Sequence, residues 1–443
     1  MKNILNKIYI NQSKINKKII AFIIFWISCF IPINANPENF NNFGSIIQIR
    51  LIIPFLLVFF FSLFLFTKKK FLIKNFFITI PFVSYIIVTI IFTIINEKLN
   101  SYINIYWGIA MLIPYLYIYI LDNKLNLLKL FLIFSLILIF FVFFFYLFKI
   151  FYEMYIFGRL INFYSIWGLY DDVFKYDLSE PPRSSGLSRM AMLISISCTL
   201  FLLVRRETSF SSKLIIIIII SSTFGLLFHS RTMTFIYFFL NISIAVILML
   251  KKKLKKKIFL FIILLPLFFA NSYNLLVSYK ESLNQNLEKK NLIFKSFENT
   301  ILRKSEENNF SSYRFENWSK IITASKENYF MGFGFQADRL LIDQSVHNVY
   351  LYSLICGGFL SMLLITVISF RGAWTSFLIL YKYTFLNKKY DAVDLISTFT
   401  IITLLLRGLL ETSYAVYSID YLLFIISFFI NEQNYKKITR KKF

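Results

Sequence analysis

A run of about 20 apolar residues can cross the hydrocarbon layer of a membrane as a helix, and this chain repeats such a run along its whole length. Short basic stretches separate the runs: TKKKFLIK at 67–74, RRETSFSSK at 205–213, KKKLKKK at 251–257 and YKKITRKKF at 435–443. Hydrophobic residues fill 58% of the 443 positions and charged ones 16%. A soluble core cannot hide that much apolar surface, so the pattern excludes a water-soluble globule.

The positive-inside rule places the basic loops on the cytoplasmic side. Apolar runs at about 19–33, 46–66, 76–95, 102–121, 127–151, 187–204, 214–228, 232–250, 258–273, 347–370, 392–410 and 416–430 then alternate. They predict an all-α, polytopic integral membrane protein of about twelve transmembrane helices, with both termini cytoplasmic. Spans one to nine occupy 1–273, with a first outer loop at 152–186. A large outer loop follows at 274–346, in which acidic and basic residues nearly balance and in which helices are expected. The last three spans and a basic tail fill 347–443. The leader MKNILNKIYINQSKINKK carries no small-residue cleavage signature, so the first apolar run reads as a retained helix.

The formal net charge of +25 would suggest nucleic acid if the basic residues shared one surface. They are dispersed over the loops instead, which points to membrane lipids as neighbours and away from nucleic acid. Cys29, Cys198 and Cys356 fall singly in or beside apolar runs, so neither a disulfide framework nor a thiolate metal site is expected. Asp171, Asp172 and Asp177 lack converging His or Cys and read as solvated loop acids.

Polar chemistry concentrates at the outer ends of the spans. Pro181 and Pro182 disfavour helix just before Arg183, and Arg183 and Arg189 flank the flexible Ser184–Ser185–Gly186 turn. Guanidinium groups there suit a phosphate through forked hydrogen bonds, although an interfacial Arg also snorkels to lipid headgroups. Arg231 has the same two readings, and His229 beside it is a second possible base. In the large loop, Ser311 or Ser312 can cap a helix that ends near Asn328. Phe315, Trp318, Ile321 and Ile322 recur at helical spacing and would press one face against the membrane domain or a lipid surface. Arg314 lies one turn before Trp318. Gly332 and Gly334 break the helix and permit close backbone approach. His347 and Asn348 follow at the mouth of the next span, where a neutral imidazole can accept a proton. Arg407 and Glu411, four residues apart, read as a neutralising helix pair.

Taken in order, RSSG before one span, SRT opening another, Ser312-x-Arg314 with Trp318 four residues on, GFG at 332–334 and HN-x-Y at 347–350 resemble the O-antigen ligase and polymerase superfamily. The pattern runs from Arg183 to Tyr350; the first five spans add only hydropathy. The resemblance implies a membrane glycosyltransferase of the bacterial inner membrane. It implies transfer of a glycan from undecaprenyl diphosphate to an acceptor hydroxyl at the periplasmic face, with inversion and with neither a nucleotide sugar nor an essential metal. Arg183 and Arg314 would hold the diphosphate, with Arg231 and Arg189 as further contacts. His347 would be the general base, favoured over His229, and Asn348 would orient the imidazole or the acceptor. The acceptor is lipid A core sugar in a ligase, or a growing carrier-linked glycan in a polymerase; the loop length and His347 favour the ligase. A reading of another class, a polysaccharide exporter or lipid flippase, expects internal repeats and polar sites near mid-membrane. Neither is visible here.

Overall fold

The computed structural model describes residues 76–96, 102–121, 124–157, 184–204, 231–251, 314–342 and 345–439, with scattered positions at 19–26 and at 219. Expectations for the spans near 46–66, 214–228 (apart from 219) and 258–273, for residues 158–183 and 274–313 of the outer loops, and for His229 lie outside the described residues, whereas 152–157, expected in the first outer loop, continue a helix.

Every described element is helical: α1 (Phe76–Ile95), α2 (Tyr102–Ile120), α3 (Leu125–Phe157), α4 (Ser184–Val204), α5 (Arg231–Leu250), α6 (Arg314–Ser325), α7 (Ala337–Ile342), α8 (Val349–Thr384), α9 (Ala392–Gly408) and α10 (Ile419–Thr439), with one 3₁₀ turn at Ser413–Ala415. A helix satisfies its backbone internally, which is the condition for crossing hydrocarbon. Leu125–Phe145 within α3 and Val349–Thr384 are long and apolar enough to cross a membrane. Exposed side chains point the same way. Phe141, Phe145 and Phe148 line one side of α3, and Leu363, Val367, Phe370, Trp374 and Phe377 line one side of α8. Such stripes would drive aggregation in water and are at home against lipid.

The chain divides into two compact units: one comprises Met1–Leu132, Ser311–Ile379 and Thr400–Phe443, the other Ile133–Phe310 and Leu380–Phe399. In the first, α1 packs on α2 and α2 on α10. Phe82 stacks at 4.9 Å on Tyr115 and meets Phe428 edge-on at 5.4 Å. Each such aromatic pair adds roughly 0.5–1.5 kcal/mol beyond burial. Tyr421 donates to the Met111 carbonyl at 2.8 Å, and Arg371 grips Glu432 with two hydrogen bonds of 2.6 and 3.0 Å, joining α8 to α10. In the second unit α4 packs on α5, with the Ser195 and Tyr237 hydroxyls 2.7 Å apart.

Helix α8 departs from the single span its hydropathy predicts. Gly357 (φ −130°, ψ 20°) and Gly358 (φ 65°, ψ −169°) interrupt it, which strips the ladder of its partners at that level. The loop after α6 replaces them. Phe333 N–H donates to Ile355 C=O at 2.8 Å, Gly334 N–H to Cys356 C=O at 2.7 Å, and Phe359 N–H to Tyr329 C=O at 2.8 Å. Only glycine fits this seam: a Cβ on Gly358 would lie 2.1 Å from the Phe330 carbonyl oxygen, and one on Gly332 (φ 65°) 2.4 Å from Gly358 N.

Candidate active site at Glu411

Helix α6 opens on Arg314, and its buried side carries Asn317, Ile321 and Ser325. Of the apolar residues expected to share one face, Ile321 is buried in the protein, whereas Phe315 and Ile322 are exposed, as the lipid-facing form of that expectation requires. Trp318 is half-buried and meets the Phe315 ring edge-on at 5.3 Å. Its Nε1–H donates to the Val346 carbonyl at 2.8 Å, tying α6 to the segment that carries His347. The helix ends at Ser325 and turns continue through Met331, a little earlier than the expected stop near Asn328.

Val346 is held from its other side as well. Its N–H donates to the Asp338 carboxylate at 3.2 Å. Burial pushes the Asp338 carboxyl up, against the opposing pull of Arg339 and of that N–H. The next residue, His347, adopts φ 51°, a left-handed conformation rare outside glycine. Asn348 then caps α8: its Oδ1 accepts from Tyr350 N–H at 2.9 Å and Leu351 N–H at 3.0 Å. Its Nδ2 donates to Leu409 C=O at 2.9 Å. The Asn348 amide is thus committed to backbone, and it fixes His347 through the main chain in place of contacting the ring.

The organising group is Glu411. Oε2 lies 2.8 Å from His347 Nδ1, and Oε1 accepts from Arg314 Nη2 at 3.2 Å. The carboxylate side chain is 14% exposed, Arg314 23% and His347 32%. Burial acts to raise the Glu411 pKa. The His347 hydrogen bond and charge, then the charges of Arg407 and Arg314, overcome it and hold the group down at about 2. Glu411 is therefore ionised at neutral pH. An ionised carboxylate only accepts hydrogen bonds, so Nδ1 must carry the proton. In the neutral ring, Nε2 is then the acceptor.

Arg407 and Glu411 are not a helix pair. Gly408 ends α9, so Glu411 falls in the following turn, and Arg407 forms an ion pair with Asp420 at the start of α10 while its charge still helps to hold Glu411 ionised. Ser413 Oγ–H donates to the same carboxylate at 3.1 Å. The turn is fastened by Tyr85, whose hydroxyl donates to Ala415 C=O at 3.0 Å, and by Tyr414, stacked at 4.3 Å on Phe424.

Of the residues expected from sequence, Arg314, Trp318, His347 and Asn348 come together around this turn. Gly332 and Gly334 do not line it; they form the seam with α8, where Gly334 (φ 93°) leaves no room for a Cβ beside Thr93. Arg189 lies in α4 and Arg231 opens α5, both in the second unit. Arg183 and His229 fall outside the described residues.

A base, a cation and a shared carboxylate suit acid–base work on a charged substrate. The family model described as O-antigen ligase matches residues 216–366. Over those residues, about a third of the chain, it is similar to the O-antigen ligase family. The match includes Arg314, Trp318 and His347 and stops short of Glu411. No curated protein and no solved structure matches the chain significantly. Members of the superfamily are glycosyltransferase-type membrane enzymes, and the apolar composition and lipid-suited helices of this chain fit that class.

Proposed function

We propose that this O-antigen ligase-like chain transfers a glycan from undecaprenyl diphosphate to a hydroxyl of lipid A core at the periplasmic face of the inner membrane. The observation that carries the reading is the Glu411 carboxylate bound at once by Arg314 and His347. His347 Nε2 takes the proton of the acceptor hydroxyl. The acceptor oxygen bonds to the anomeric carbon as the bond from that carbon to the diphosphate oxygen breaks. The electron pair leaves on the diphosphate, and the configuration inverts.

Glu411 holds the imidazole in the tautomer that can accept a proton and stabilises the imidazolium that results. Arg314 stabilises the negative charge growing on the leaving diphosphate, an interaction stronger in the transition state than before it. Arg183, Arg189 and Arg231 are proposed as diphosphate ligands on the sequence pattern alone.

Purified protein in vesicles, given carrier-linked glycan and either lipid A core or further carrier-linked repeats, tests the proposal by gel mobility. Extension of lipid A core is expected. Extension of the carrier-linked repeats alone would make the chain a polymerase, and movement of intact donor across the bilayer without a new bond would make it a transporter.

A further inference from the structure

The loop that fills the α8 break has a tip of a kind water does not favour. Phe330 is 74% exposed, and Tyr329 and Met331 beside it are also exposed. Asn328 to Ala337 contains no charged residue. These side chains do not stand alone. The exposed stripe of α8, from Phe377 and Phe370 (69% exposed) up through Val367 and Leu363, continues to Leu360 and Phe359. There the Tyr329 ring stacks on Phe359 at 5.6 Å, and Phe330 packs edge-on against Tyr329 at 5.5 Å. The lipid-facing surface of the helix thus passes onto the loop without a charged interruption, and the exposed Thr366 on that face returns its hydroxyl to the Met362 carbonyl at 2.7 Å.

We infer that Tyr329, Phe330 and Met331 form a finger inserted into the lipid of the bilayer that α8 spans, so that this part of the loop is membrane-embedded and not periplasmic. Two further features fit. Lipid tolerates irregular backbone only where its polar groups are satisfied, and those of the finger's base are. Gly332 N–H donates to Asn328 C=O at 2.8 Å, and Gly332 C=O accepts from Asn96 Nδ2 at 2.9 Å and Asn328 Nδ2 at 2.6 Å. Phe333 N–H, Gly334 N–H and Tyr329 C=O bond to α8. The finger is also fixed in place, because those bonds lock it to the helix at the level of Ile355 to Phe359. Tyr and Phe beside an uncharged stretch match the composition of membrane-interface anchors. The inference stands apart from the transfer reaction: it needs only that α8 crosses the membrane.

Photocrosslinking tests it on the full chain. The amino acid p-benzoylphenylalanine is placed singly at position 330, at 370 on the α8 stripe, or at 320, the exposed charged position on α6. Each protein is reconstituted in nanodiscs of phosphatidylethanolamine and phosphatidylglycerol, irradiated, and digested for mass spectrometry. Position 330 is expected to form phospholipid acyl-chain adducts at a yield comparable with position 370 and several-fold above position 320. A yield at 330 no greater than at 320, with position 370 labelled, would overturn the inference. So would adducts at 330 to a second copy of the chain in place of lipid.

Discussion

Replacing His347 with Ala is expected to lower glycan transfer by about 100- to 10,000-fold, the range over which a positioned general base contributes, while membrane insertion and abundance stay normal. His347 Nδ1 is held by Glu411, so no other atom of this side chain than Nε2 remains to take the acceptor proton. The backbone at φ 51° complicates a simple truncation, because alanine tolerates that conformation poorly. Asn accepts it more readily yet provides no base. His347→Asn should therefore lose as much transfer as His347→Ala while folding at least as well. Transfer retained by either variant in vesicles would remove His347 from the chemistry.

Arg314→Lys is expected to cost about 100- to 1,000-fold, the typical loss when one donor to a developing anion is removed. Lysine keeps the charge, and its ammonium can still reach a carboxylate. It cannot present the planar fork that matches an oxyanion at two points. Helix α6 makes the comparison clean. Arg314 is its first residue, and Trp318 anchors the helix to Val346 one turn later, so the stem of either side chain leaves the same rigid element. The loss should fall on the chemical step. A full-rate Arg314→Lys enzyme would mean that the guanidinium serves only to hold Glu411.

Much of this could be read before any coordinates. The apolar runs marked where helices lie, with ends that match at Phe76–Ile95 (expected at 76–95) and Ala392–Gly408 (392–410) but fall short of the C-terminal ends of α3, α8 and α10, which reach Phe157, Thr384 and Thr439 against 151, 370 and 430. His347 was legible as a polar group at the mouth of an apolar span, and Arg314 and Trp318 as residues one turn apart on a helix within a polar loop. Glu411 was seen and misassigned. Four-residue spacing pairs side chains only while the helix continues. Gly408 ends it, and Arg407 turns to Asp420, a partner that no local rule selects.

The break in α8 had a sequence signal in the Gly357–Gly358 pair, but hydropathy is blind to backbone hydrogen bonding. A window of apolar residues scores the same whether or not a loop is threaded against it. The same blindness put residues 329–331 in an aqueous loop. Their neighbours in space are Gly358 and Phe359, about thirty positions away in sequence, and only the fold brings the two exposed surfaces together.

The proposed transfer requires Arg314, Glu411 and His347 to act as one unit, and a double-mutant comparison of transfer rates addresses that most directly. Glu411→Gln keeps the shape but removes the charge that orients the imidazole, and a misplaced base can cost about 100-fold. Residues that act together lose no more in combination than the worse single loss. The Glu411→Gln, His347→Ala double variant should therefore transfer glycan no more slowly than His347→Ala alone. Losses that multiply, or a Glu411→Gln enzyme as fast as the unaltered one, would contradict the shared carboxylate.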